Sequence, residues 1–161
     1  MMAANSVWAK FDQATGGFMT LWSHMNDSAG VAGKLWDEWL PSAVKRQISL
    51  GVGADDDVEA RTLVVWLAAV HDVGKAHPVF AQQVAGLAGR MQRQGLRFSA
   101  AYTPDQRIPH SVLSHVFLRG WLRSRWDFDG ATASSYAVVT GGHHGVPPSQ
   151  GQITKAWDSA A

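Results

Sequence analysis

The chain has 161 residues, 46% apolar and 17% charged, a balance that suits one globular domain with its own core and excludes a disordered tail. Its formal net charge of +1 excludes the overall basicity of a nucleic-acid coat protein and leaves room for a local basic groove. It has no cysteine, which removes disulfides, thiolate zinc sites and thiol nucleophiles together, and no apolar run near the ~18 residues of a membrane span. No membrane association is expected, and the expected location is cytoplasmic.

Residues 1–19, with Trp8-Ala9-Lys10-Phe11 and Gly16-Gly17, read as an irregular lead-in over the domain. From Thr20 the pattern turns helical: Leu21, Met25, Ala29, Ala32 and Trp36 recur at three- and four-residue spacing, and Pro41 closes the segment or starts another turn. His24 lies at the edge of that stripe and, taken alone, reads as a solvated helix histidine. Gly51 to Asp57 make a loop whose acid run caps the next helix; calcium would need alternating ligands and a closing Glu.

A helix expected over about Val58 to Val73 carries the run Leu63 to Val70, apolar all round, and therefore predicts burial. It runs into His71-Asp72-Val73-Gly74-Lys75. Taken alone the His-Asp pair reads as a capped helix end, yet a buried carboxylate is tolerated only when paired, hydrogen-bonded or metal-bound. His77-Pro78 restarts a helix with Val79, Phe80, Val84 and Leu87 on its apolar face. Residues 89–109 are basic and loop-like, with Arg90, Arg93, Arg97 and Arg107 forming either a solvated loop or a lip for phosphates. His110 to Leu122 is a helix directly after Pro109, with His115 about 140° round the axis from His110, too far to share an ion. Asp127 to Gly130 is a turn. A small-residue helix, Ala131 to Thr140, then ends in Gly141-Gly142-His143-His144-Gly145, where histidines between glycines seldom serve packing. Residues 150–161 show no clear element. With no sustained period-two run, the expected fold is all-α, a bundle of five to seven helices. The eight tryptophans point to thick helix packing ahead of base stacking.

Four helical segments thus present histidine near an end: His24, His71 with Asp72, His110, and His143 with His144. Imidazole with carboxylate suits borderline first-row metals, and five histidines with one carboxylate exceed the four ligands of a structural zinc. The set suits two ions about 3.5–4 Å apart that activate water and clamp a phosphoryl group. No phosphate loop, nucleophile elbow or His-Glu-x-x-His motif competes.

The order His24…His71-Asp72-Val73-Gly74-Lys75…His110…His143-His144-Gly145 resembles the HD phosphohydrolase superfamily. More narrowly, Leu67 to Phe80 and Gly142 to Pro148 are similar to the N-terminal HD nuclease domain of the CRISPR-associated helicase–nuclease of type I systems, over roughly residues 7 to 150. The resemblance implies an HD-domain bundle and a metal-dependent nuclease that degrades single-stranded DNA displaced by a guide-RNA surveillance complex, with a helicase motor feeding the strand. It implies metal ligands at His24, His71, Asp72, His110, His143 and His144. Asp72 would bridge two ions, with Mn, Fe, Co or Ni ahead of Mg or Zn, and Lys75 would be a catalytic cation beside the phosphate. Two features depart from the family: its last aspartate ligand has no match, Asp158 following too closely, and the motor is absent. The chain is therefore expected to be one HD-type domain and either a fragment of a longer protein or a separate piece with an altered site. An HD phosphohydrolase of small nucleotides, with an enclosed pocket, and a non-catalytic HD-fold binding module are the alternatives.

Overall fold

The computed structural model describes residues 4–98 and 107–160. The described part of the lead-in is ordered structure, against expectation. After a 3₁₀ turn at Ala4–Ser6, strand β1 (Trp8–Phe11) pairs antiparallel with β2 (Phe18–Thr20), in the register Trp8 to Thr20 and Phe11 to Phe18. The loop between them is tied by Asp12, whose carboxylate accepts from Ala14 N at 2.9 Å and Thr15 Oγ1 at 2.6 Å. Strands of four and three residues are too short to show the period-two alternation that announces a sheet.

Thr20 ends the hairpin and starts α1 (Leu21–Lys34), its hydroxyl accepting from Ser23 N at 3.1 Å. The helix runs on as a π-turn, Leu35–Trp39, and stops before Pro41. Helix α2 (Ser42–Val52) ends at Gly53, whose φ of 65° is the left-handed stop that glycine adopts without strain. Asp56 caps α3 (Asp57–Val70) by accepting from Val58 N and Glu59 N, both at 2.9 Å. A 3₁₀ turn (Val73–Ala76), α4 (Pro78–Ala81), α5 (Ala85–Arg93), α6 (His110–Trp126), α7 (Gly130–Gly141) and α8 (Gln150–Ala160) follow. The architecture is all-α apart from the hairpin, with eight α-helices among the described residues, one of them a single turn.

Two expectations change here. Helix α5 occupies the start of the expected basic loop, because Ala88 and Met91 form a buried stripe that the surrounding glycines and arginines hide from a periodicity count. Residues 99–106 of that loop lie outside the described residues. Helix α8 forms where no element was expected, held by Ala156, which is fully buried, and Ile153 in a cluster with Val112, Leu113 and Val116 of α6.

Three apolar clusters build the core. Trp8, Leu21, Phe80, Ala81 and Met91 fasten the hairpin to α4 and α5; the Trp8 and Phe80 rings are 4.4 Å apart, and Trp8 Nε1–H donates to Ala81 O at 3.1 Å. The α6–α8 cluster is the second. The third sets Leu118 and Leu122 of α6 against Ala133 and Ala137 of α7, where the small side chains permit close approach. Helix α3 is not buried all round. Ala60 is buried, but Leu63 to Val70 are half-buried, because Val64, Leu67 and Ala68 line a cavity of about 980 Å³ that opens to solvent between α1, α3 and α7.

Candidate metal centre

Four helix ends and one turn bring the histidines together. Helix α1 supplies His24 from its first turns, α3 ends on His71, and Asp72 opens the 3₁₀ turn that holds Lys75. His110 starts α6 immediately after Pro109, and His143 and His144 follow the glycine end of α7. Gly141 makes that end possible: a Cβ there would lie 2.8 Å from Pro148 Cδ and 3.0 Å from His115 Cβ.

Asp72 is the hub, 3% exposed. Its Oδ2 lies 2.7 Å from His24 Nε2, 2.6 Å from Lys75 Nζ and 3.3 Å from His71 Nε2. Its Oδ1 faces the other way, 3.1 Å from His110 Nε2 and 3.3 Å from His143 Nε2. His144 completes the second side, its Nε2 3.1 Å from His110 Nε2. The donors fall into two sets, each within 4.8 Å: His24, His71 and Asp72, and His110, His143 and His144. His24 is buried against Asp72, while His144 is exposed and touches His110. Where α1 crosses the end of α3 decides this, and helical spacing carries no information about the crossing.

Proton placement fixes which nitrogens can ligate. His71 Nδ1 donates to Ala68 O at 2.7 Å and His143 Nδ1 donates to Thr140 O at 2.6 Å. A carbonyl only accepts, so each Nδ1 carries a proton and leaves Nε2 as the ligating atom of the neutral ring. His143 Nε2 and Asp72 Oδ1 are both buried without a hydrogen-bond partner. Two buried lone-pair atoms facing each other call for a cation between them, so imidazole and carboxylate of this kind fit a first-row divalent ion. The electrostatics agree. Burial pushes the Asp72 carboxyl up, but the surrounding His110, His143, His71 and Lys75 hold it far below the usual carboxylate range, so it stays ionised. The bond to Asp72 pushes His71 up, against burial. Burial holds His24 down despite the same carboxylate, and burial first, with the neighbouring imidazoles after it, does so for His144.

Lys75 is buried with its ammonium on Asp72, so in this arrangement it positions the carboxylate. His77 and His115 lie elsewhere. His77 Nδ1 accepts from Val79 N at 3.1 Å and caps α4, and His115 is buried where α6 meets α7. Sequence reasoning missed Ser114, whose Oγ accepts from Gly74 N at 2.9 Å. Gly74 matters as a point of close approach: a Cβ would collide with His110 O and lie 2.5 Å from Ser114 N. The available signal was a small hydroxyl beside His115 in a run whose other members, Val112, Leu113, Val116, Phe117 and Leu118, are apolar; Ser114 is fully buried.

The sequence profile of the family described as Cas3, HD domain, matches residues 8–161. The CRISPR-associated nuclease/helicase Cas3 of Streptococcus thermophilus is 30% identical over 142 residues, covering 81% of this chain and 14% of the relative. The CRISPR-associated endonuclease/helicase Cas3 of Thermus thermophilus is 31% identical over 157 residues, 96% of this chain and 16% of the relative. A crystal structure of a CRISPR-associated protein superposes with a TM-score of 0.81 at 30% identity, over 98% of this chain and 18% of that one. That of T. fusca Cas3 gives 0.74 at 22% identity, over 96% and 18%. The chain thus spans about a sixth of the length of the curated relatives it matches. By profile, identity and superposition together, the chain belongs to the Cas3 HD-domain family.

Proposed function

We propose that this chain is a metal-dependent phosphodiesterase that cuts single-stranded DNA in CRISPR interference. The observation that carries the reading is the hub carboxylate: one oxygen of Asp72 joins His24 and His71 in a three-donor set, and the other faces the separate set of His110, His143 and His144, with an unpartnered histidine nitrogen on that side. His24, His71 and Asp72 would hold one divalent ion, and His110, His143 and His144 with the other oxygen of Asp72 a second, with Mn, Fe, Co or Ni the best match to the donor chemistry. Two such ions supply an activated water and neutralise charge on the phosphoryl oxygens. The chain's own residues do the rest. Ala68 O and Thr140 O lock the His71 and His143 tautomers, and Lys75 keeps Asp72 ionised and oriented. The open groove beside His24, His71 and His143 favours an extended strand over a free nucleotide, which needs an enclosing pocket. The helicase named in the relatives would deliver the strand, in the same polypeptide or in trans, after a guide-RNA surveillance complex has displaced it. Among the described residues no helix is long and apolar enough to cross a membrane.

The deciding assay offers single-stranded DNA, duplex DNA and free nucleotides side by side with Mn²⁺. Wild type cuts the single strand fastest, and Asp72→Asn, which keeps the shape and removes the hub charge, loses at least about 100-fold. Preference for a free nucleotide, or undiminished cleavage by Asp72→Asn, refutes the reading.

A further inference from the structure

We propose that the acid-free lobe built by residues 73–98 is the phosphate track that seats a single strand against the metal centre, with Arg90, Arg93 and Arg97 as its contacts. The proposal rests on the nuclease reading and adds how the substrate is held. Between Asp72 and Asp105 the sequence has no acidic residue, while Lys75, Arg90, Arg93 and Arg97 all fall in that interval. Of the other arginines, Arg61 forms a two-pronged pair with Asp37 at 2.7 and 2.6 Å, Arg107 donates to Gln83, Arg119 donates to Ser134, Asp127 follows Arg123 and Arg125 in sequence, and Arg46 stands apart on α2. Among the described residues no carboxylate pairs with Arg90, Arg93 or Arg97.

The lobe is rigidly joined to the centre. Phe80 stacks on Trp8, packs in one cluster with Met91 of α5, and presents its ring 5.8 Å from His110. The Arg90 guanidinium lies 4.5 Å over the Phe18 ring, a cation–π contact that fastens it to the hairpin. Arg93 and Arg97 are exposed. A polyanion lying on α5 therefore meets the guanidinium groups of Arg90, Arg93 and Arg97 with no carboxylate of residues 73–98 beside them, and a guanidinium fork matches phosphate oxygens. The centre selects the form of that polyanion. Asp72 and His24 are buried, so the reacting phosphate has to enter between helices, which a flexible single strand can do and a stiff duplex cannot.

The test measures binding of a labelled oligothymidine of about 20 nucleotides by fluorescence anisotropy in EDTA, so that no cleavage occurs. Arg93→Glu/Arg97→Glu should bind about tenfold more weakly, and the neutral pair Arg93→Gln/Arg97→Gln should lower the salt slope by about 1.4, two phosphate contacts at ~0.7 each. The control pair Arg123→Gln/Arg125→Gln, with the same charge change on α6, should bind as wild type. Turnover of bis(4-nitrophenyl) phosphate with Mn²⁺, a diester too small to reach α5, should stay within about twofold in every variant, which also reports intact folding. Strand binding that is unchanged in the α5 variants, or equally reduced in the α6 control, overturns the proposal. So does polyglutamate competing as well as DNA, which would make the lobe a seat for an acidic protein. Wild type that binds the strand in EDTA and hydrolyses neither diester nor DNA refutes the nuclease reading while supporting the track.

Discussion

Gly74→Ala is the perturbation whose consequence follows most directly from the geometry. The added methyl would overlap His110 O, lie 2.5 Å from Ser114 N and 2.8 Å from Leu113 Cβ, all on α6. Ordinary contact begins near 3.4 Å, so the 3₁₀ turn has to retreat from Ser114 N by about 0.9 Å, 3.4 less 2.5. The obstructing atoms are mostly backbone of a packed helix and cannot swing aside. Overpacking of this kind costs about 1–3 kcal/mol. The retreat also stretches the buried bond from Gly74 N to Ser114 Oγ, worth about 1 kcal/mol more. The sum, roughly 2–4 kcal/mol, is a large part of the ~5–15 kcal/mol that stabilises a typical domain. The displacement carries Asp72 and Lys75 away from His110, so metal affinity falls together with stability. Ser114→Ala is the calibrating partner: it removes the bond, adds no bulk, and should cost about 1–3 kcal/mol with the donors still in register. Urea unfolding of the metal-free proteins gives the stability difference, and calorimetric titration with Mn²⁺ gives the affinity. A Gly74→Ala protein with the wild-type urea midpoint and wild-type Mn²⁺ affinity would show that the turn does not depend on this close approach.

Trp8→Phe should lower stability by about 1–3 kcal/mol, because it leaves Ala81 O without its indole donor and thins the contact with Phe80; urea midpoints at matched slope check this. Burial holds His115 below the usual imidazole range, so the unfolded chain binds its proton more readily than the folded one. The stability due to neutral His115 is therefore complete above about pH 6.5 and lost as pH falls through the depressed folded value. His115→Gln should flatten the stability slope on the acid side relative to wild type, and equal slopes would refute the assignment.

What the sequence disclosed was the chemistry of boundaries and of clustered motifs. Thr20, Asp56 and Pro78 each mark a helix start by local hydrogen bonding or ring geometry, which depends on nearby residues alone. His71-Asp72 and His143-His144 stood out because such residues at the ends of apolar helices have no ordinary packing role. What stayed hidden depended on distant partners. Strand β1 exists because Trp8 meets Phe80, 72 positions later, an association no short window contains. Leu63 to Val70 looked buried because apolarity was read as burial, whereas a folded chain can leave an apolar face against a cavity. His24 looked solvated because it lies at the edge of its own helix stripe, and its burial comes from the turn after α3. Helix α5 was masked by composition, since arginine and glycine suggest a loop even where Ala88 and Met91 keep helical spacing.

The trough between α1, α3 and α7 has a consequence for the protein as a colloid. Val31, Leu35, Val138 and Val139 face it while remaining largely accessible, at 57%, 47%, 39% and 51%. Apolar surface of this extent attracts like surface, and the attraction weakens on cooling. With a net charge of only +1, little long-range repulsion opposes it. Concentrated solutions of this chain would therefore disperse best in the cold and at a pH that raises the net charge, and cloud on warming well below the temperature at which the helices melt.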